Sequence, residues 1–136
     1  MIIYIITNRW YRLDNLFKVG VHRQNTISSL VKQYIGRYMP EVDVVAHYKV
    51  EDGFSMECVI HRRLSEHGSI TRLRAEWFQG EEDDIIDVVE GTISSCSNDP
   101  YTIKEGGRTY HLSCESNERL IRIGRDAGIV NPFPPS

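Results

Sequence analysis

Residues 2–7 (Ile2, Ile3, Tyr4, Ile5, Ile6, Thr7) form an unbroken β-branched and aromatic run, which predicts a buried strand. Residues 8–15 are mostly polar and read as a hairpin loop. Residues 16–22 alternate well enough for a second strand, ending at His22. Thr26 is a good helix N-cap. Ile27, Leu30, Val31, Tyr34, Ile35 and Tyr38 then recur at helical spacing until Pro40. Residues 44–50 predict a third strand, and Asp52-Gly53 turns the chain. A second helix follows over 54–67, with Met56, Val59, Ile60 and Leu64 apolar and Gly68 as its stop.

Residues 71–75 read as a loop before two large aromatic anchors, Trp77 and Phe78. Residues 81–95 predict a third helix. Its first turn is acidic (Glu81, Glu82, Asp83, Asp84), and Ile85, Ile86, Val88, Val89 and Ile93 supply its buried side. Beyond the break at Asn98-Asp99-Pro100, residues 101–103 and 109–112 read as a hairpin across Glu105-Gly106-Gly107. Residues 115–127 read as a short helix carrying Arg119, Arg122 and Arg125, and 131–136 as a proline-rich tail. The predicted architecture is α+β. A small, mostly antiparallel three-stranded sheet is flanked by helices over residues 1–95, and residues 96–136 form a β-β-α extension.

Composition agrees with one folded unit. The chain has 136 residues, 40% hydrophobic and 26% charged, enough for a single core. No apolar run approaches the roughly 20 residues of a membrane span. Three widely spaced cysteines (Cys58, Cys96, Cys114) without a C-x-x-C pair argue against a disulfide scaffold and a zinc knuckle, so a reducing, cytoplasmic setting is expected. Net charge is −3, which is not the signature of a protein that binds nucleic acid by bulk attraction. Lys and Arg outnumber Asp and Glu nine to seven in residues 1–68, and are outnumbered seven to twelve in 69–136. Contact with a polyanion is therefore expected in the first half.

The opening hairpin carries the most specific signal. Ile2-Ile3-Tyr4 in the first strand and Lys18-Val19-Gly20 in the second resemble the paired motifs of the GIY-YIG nuclease superfamily. The likeness is greatest to its phage and large-virus subgroup, whose second motif is Lys-Ile/Val-Gly. Three further pieces are similar to that subgroup: Tyr34-x-x-Arg37-Tyr38-x-Pro40, Glu57-x-x-x-His61 and Glu76-Trp77-Phe78. The resemblance spans about residues 2–95. It departs from the superfamily pattern at Ile2 and Lys18, and Ser28 and Ser29 stand where many members have an arginine.

The resemblance implies metal-dependent hydrolysis of phosphodiester bonds in DNA. Glu57 is the implied ligand for Mg²⁺ or Mn²⁺, since carboxylate oxygen suits a hard cation. Tyr4 is the implied base. A phenol titrates near pH 10, so it needs a cation close by, and Lys18 on the neighbouring strand is the candidate. Arg23 and Arg37 are alternatives for gripping phosphate oxygens, and His22, at the end of the second strand, is a candidate proton donor. Glu57 and His61, four apart, also fit a plain helix-surface pair. Glu76-Trp77-Phe78 reads as structural. The alternative to an enzyme is a catalytically silent module of the same fold that binds nucleic acid or a protein.

Overall fold

The structure, a computed structural model, describes residues 1–34, 39, 41–96, 104–105 and 108–111. Strand β1 (Ile2–Thr7) lies at the centre of the sheet, antiparallel to β2 (Leu16–His22) on one side and β3 (Glu41–Lys49) on the other. Every residue of β1 is buried, because helices cover both of its faces. On one face, Ile3, Ile5, Phe17 and Val19 pack against α3 (Gly53–Glu66) and α4 (Glu82–Cys96) through Ile60, Leu64, Ile85, Val89 and Ile93. On the other, Ile2, Tyr4 and Ile6 pack against Tyr11 of α1 (Arg9–Leu13) and Leu30, Val31 and Tyr34 of α2 (Ile27–Tyr34). A register shift opposite Ile5/Ile6 makes β3 change sides. Val42 and Val44 join the α1/α2 face, and Ala46 and Tyr48 the α3/α4 face.

The α+β class and the antiparallel sheet are as the sequence predicts, and the sheet is wider than the three strands expected. Residues read as a loop before the aromatic pair form β4 (Thr71–Arg74), which is fully exposed. Trp77 and Phe78 lie in β5 (Trp77–Gln79). The order is β4-β5-β2-β1-β3, all antiparallel. The far side of β3 pairs with β6 (Lys104–Glu105) and β7 (Arg108–His111). These two strands follow one another along β3, β6 against His47 and Tyr48 and β7 against residues 41–44. Residues 101–103, one arm of the expected hairpin, lie outside the described residues. The predicted helix over 115–127, with Arg119, Arg122 and Arg125, lies outside the described residues.

The opening loop also differs from expectation, since it holds α1. Asn8 caps this short helix, its side chain accepting from the amides of Trp10 (3.1 Å) and Tyr11 (3.0 Å). Tyr11 packs edge-on against Trp77, with ring centroids 5.1 Å apart. Asn15 takes a left-handed φ of 54°, a conformation asparagine tolerates, and turns the chain into β2. The hydroxyl of Thr7 closes the hairpin on the carbonyl of Leu16 at 2.7 Å.

Candidate active site

The β1–β2 register places Tyr4 directly opposite Gly20. Both positions face the α1/α2 side, and the missing Cβ at Gly20 leaves room that the Tyr4 hydroxyl occupies. A Cβ built there would lie 2.6 Å from Tyr4 Oη and 2.8 Å from Glu76 Oε2. Only glycine therefore lets a phenol and a carboxylate meet above this strand. Tyr4 is 1% exposed, and its hydroxyl hydrogen-bonds that of Tyr34 at 2.8 Å. Lys18, two residues before Gly20, projects onto the same face. Its Nζ stands 3.5 Å from Glu76 Oε2 and 4.6 Å from the centre of the Tyr34 ring.

Glu57 enters from the side. Strand β5 pairs with β2 only at residues 16–18, and the last backbone bond between them runs from the Val19 amide to the Glu76 carbonyl (2.9 Å). Beyond that point the outer edge of β2 is unpaired, and α3 lies along it. His61 donates from Nε2 to the Val19 carbonyl at 2.7 Å, and Glu57 accepts from the Val21 amide. The pair expected on a helix surface is thus turned inward. Its side chains take up strand-edge groups that would otherwise be buried without partners. Burial lowers the His61 pKa, and its ring packs against Phe78 with centroids 5.3 Å apart, so His61 is a neutral structural donor.

The electrostatics centre on two carboxyl groups. Burial, then the proximity of Glu76, raises the Glu57 pKa to about 7, against the opposing pull of the Val21 amide and Lys18. Glu57 Oε2 is buried and makes no hydrogen bond. The Tyr4 pKa is raised, first by burial, then by Tyr34 and the two glutamates. Lys18 is not among the groups that shift this phenol. Its ammonium is directed to Glu76 and the Tyr34 ring, and Tyr4 stays fully protonated.

The other expected site residues lie at the margin. His22 shares the face of Lys18 and Gly20, but its Nε2 is engaged with the Ser29 hydroxyl at 2.9 Å. Burial lowers its pKa, so the ring is neutral at pH 7 and ties the strand to α2. Arg23 is exposed, its guanidinium carbon 5.4 Å from the centre of the Phe54 ring. Arg37 lies outside the described residues. Two members of the cluster were not among the expected site residues: Tyr34 was read as an apolar helix position and Glu76 as structural. Both stand in motifs singled out above, and their proximity to Tyr4 depends on register that no local pattern encodes.

Among the described residues no three His, Cys, Asp or Glu side chains gather as a metal-binding group, and no helix is long and apolar enough to cross a membrane. No curated protein and no solved structure matches the chain. A family model, the T5orf172 domain, matches residues 1–93, which hold β1 to β5, all the glutamate, lysine and tyrosine groups of the cluster, and most of α4. With well over half its length matched, the chain belongs to the T5orf172 domain family.

Proposed function

We propose that this chain is a metal-dependent endonuclease of the GIY-YIG type that hydrolyses phosphodiester bonds in DNA. The observation that carries the reading is the convergence of Tyr4, Lys18, Glu57 and Glu76 around Gly20. The order of motifs along β1, β2, α2, α3 and β5 supports it.

Two carboxyl groups in contact, Glu57 and Glu76, fit a cation of the Mg²⁺ or Mn²⁺ kind, which takes one or two protein carboxylates and fills its remaining positions with water and phosphate. When bound there, the ion would supply Lewis acidity toward the phosphate and the leaving oxygen. Lys18 offsets charge on the phosphate. The protonated Tyr4 hydroxyl, anchored by Tyr34, orients the attacking water by a hydrogen bond rather than taking its proton. Glu76 is the acceptor of that proton as the water oxygen bonds to phosphorus and the bond to the leaving oxygen breaks. Arg23 and Arg37 remain the candidates for the non-bridging oxygens. His22, neutral and engaged with Ser29, receives no proton-transfer role.

The test is to incubate supercoiled plasmid with the full chain in Mg²⁺, Mn²⁺ or EDTA. Metal-dependent nicking is expected, lost in Glu57→Gln. Plasmid that stays intact with every metal and at several pH values overturns the enzyme. Retarded but intact plasmid, with affinity falling steeply as salt rises, identifies a silent DNA-binding member.

A further inference from the structure

Strand β4 is the outer edge of the sheet, and it carries a bulge. Thr71 pairs with Gln79 and Arg72 with Phe78, but the next residue to pair, with Trp77, is Arg74; Leu73 is the extra residue. In a regular strand Arg72 and Arg74 would point to the same face. The bulge separates them. Arg72 stays on the α3/α4 face, its guanidinium carbon 5.6 Å from the centre of the Phe78 ring and its Nε donating to the Ala75 carbonyl at 2.8 Å. Arg74 is brought level with Trp77, which belongs to the other face and stands beside Lys18. Ala75 then takes a left-handed φ of 49°, a costly conformation for alanine, and delivers Glu76 to the cluster.

The result is a transverse row on one face: Arg74, Trp77 and Lys18 on three adjacent strands. Two inter-strand spacings, about 10 Å, separate the outer cations, and Trp77 fills the interval between them. Lys18 stands 3.5 Å from Glu76 and is partly exposed, whereas Arg74 is exposed and makes no ion pair among the described residues. An exposed arginine placed by a bulge on the face of a reactive cluster has the planar fork and the reach to hold a phosphate.

We propose that Arg74 holds a backbone phosphate of duplex DNA next to the one engaged at Lys18 and Glu57, so that the DNA strand crosses the sheet from the Gly20 site toward β4. The proposal rests on the phosphodiesterase reading of the cluster, and it adds the direction in which the substrate leaves.

Binding of a short fluorescent duplex to the full chain tests it by anisotropy, with Ca²⁺ replacing Mg²⁺, over a range of salt. Arg74→Ala is expected to weaken binding about tenfold on any sequence and to lower the slope of log affinity against log salt by about one. Arg74→Lys should keep the slope and recover part of the affinity. Arg63→Ala, on the α3/α4 side where Arg63 bonds Ser95 at 2.9 Å, should leave both unchanged. Unchanged melting of Arg74→Ala would show that the loss is local. Binding by Arg74→Ala equal to wild type, or an equal loss in Arg63→Ala, overturns the Arg74 assignment and leaves the nuclease reading standing. A wild-type chain that neither binds nor cleaves DNA overturns both.

Discussion

On the face covered by α3 and α4, the central strands present Ile3, Ile5, Phe17, Val19 and Phe78, closed by Ile60, Leu64, Ile85 and Val89. On the face covered by α1 and α2, the same strands present Tyr4, Lys18 and Gly20 among Ile2, Ile6, Leu16 and Trp77. Both faces are drawn from one alternating pattern, so their difference arises from a few substitutions within it. A glycine where a β-branched residue would pack makes space for a phenol. A lysine on the next row keeps its ammonium partly in water while its stem lies along aromatic rings. The first face is a stability device. The second concentrates polar groups where, among the described residues, the pairing of β5 with β2 ends. Substitutions on the two faces should therefore separate folding from function.

The largest effect is expected on the apolar face. Phe78 is fully buried, so Phe78→Ala should lower unfolding free energy by about 3–5 kcal/mol, read from denaturant midpoints. A loss below about 1 kcal/mol would mean that this face does not carry the fold. Next is Gly20→Ala. The new methyl would press on the ring carbon of Tyr4 at 2.9 Å, and that ring is held in place, so a cost of about 1–3 kcal/mol is expected together with loss of cleavage. A variant with wild-type stability and activity would show that the glycine is not needed for the cluster. Tyr4→Phe removes the bond to Tyr34 and should cost about 1 kcal/mol, with a much larger proportional loss of cleavage, since the core shape is kept.

The last effect is a dependence of stability on pH, moderated by solvent because Glu57 is only half-buried. The folded-state pKa of Glu57, about 7, lies above the ordinary carboxylate value of 4.5. Between those values the folded chain holds a proton that the unfolded chain releases, so this group makes stability fall as pH rises from about 4.5 to 7 and level off above. Glu57→Gln should flatten that part of the stability profile in chemical denaturation. An unchanged slope in the variant would place the titration elsewhere.

Much of this fold is legible in the sequence. Strands β1, β2 and β3 and helices α2, α3 and α4 follow from strand alternation, helical spacing and punctuation by Pro40, Asp52-Gly53 and Gly68. What escaped were elements whose stability is tertiary. Helix α1 is five residues long and depends on the Asn8 cap and on Tyr11 reaching Trp77. Strand β4 has no buried residue, so it carries no hydrophobic alternation, and its pairing with β5 alone defines it. The site divides in the same way. Tyr4, Lys18 and Glu57 stood out by type and motif. Glu76 was masked by the two core aromatics that follow it, and its position depends on the bulge in β4 and the turn at Ala75. The inward turn of Glu57 and His61 was equally hidden, because helical spacing shows that two residues share a face without showing what that face meets.

The account stands most directly on whether the residues around Gly20 work as one unit. A double-mutant cycle on single-turnover plasmid cleavage, combining Tyr4→Phe and Glu76→Gln, measures this. Each single change is expected to slow cleavage by about 100-fold, and the double variant to be scarcely slower than the worse of the two, since each already disables the same proton transfer. Losses that multiply, or a Glu76→Gln variant that cleaves like wild type, would contradict a shared site around Gly20.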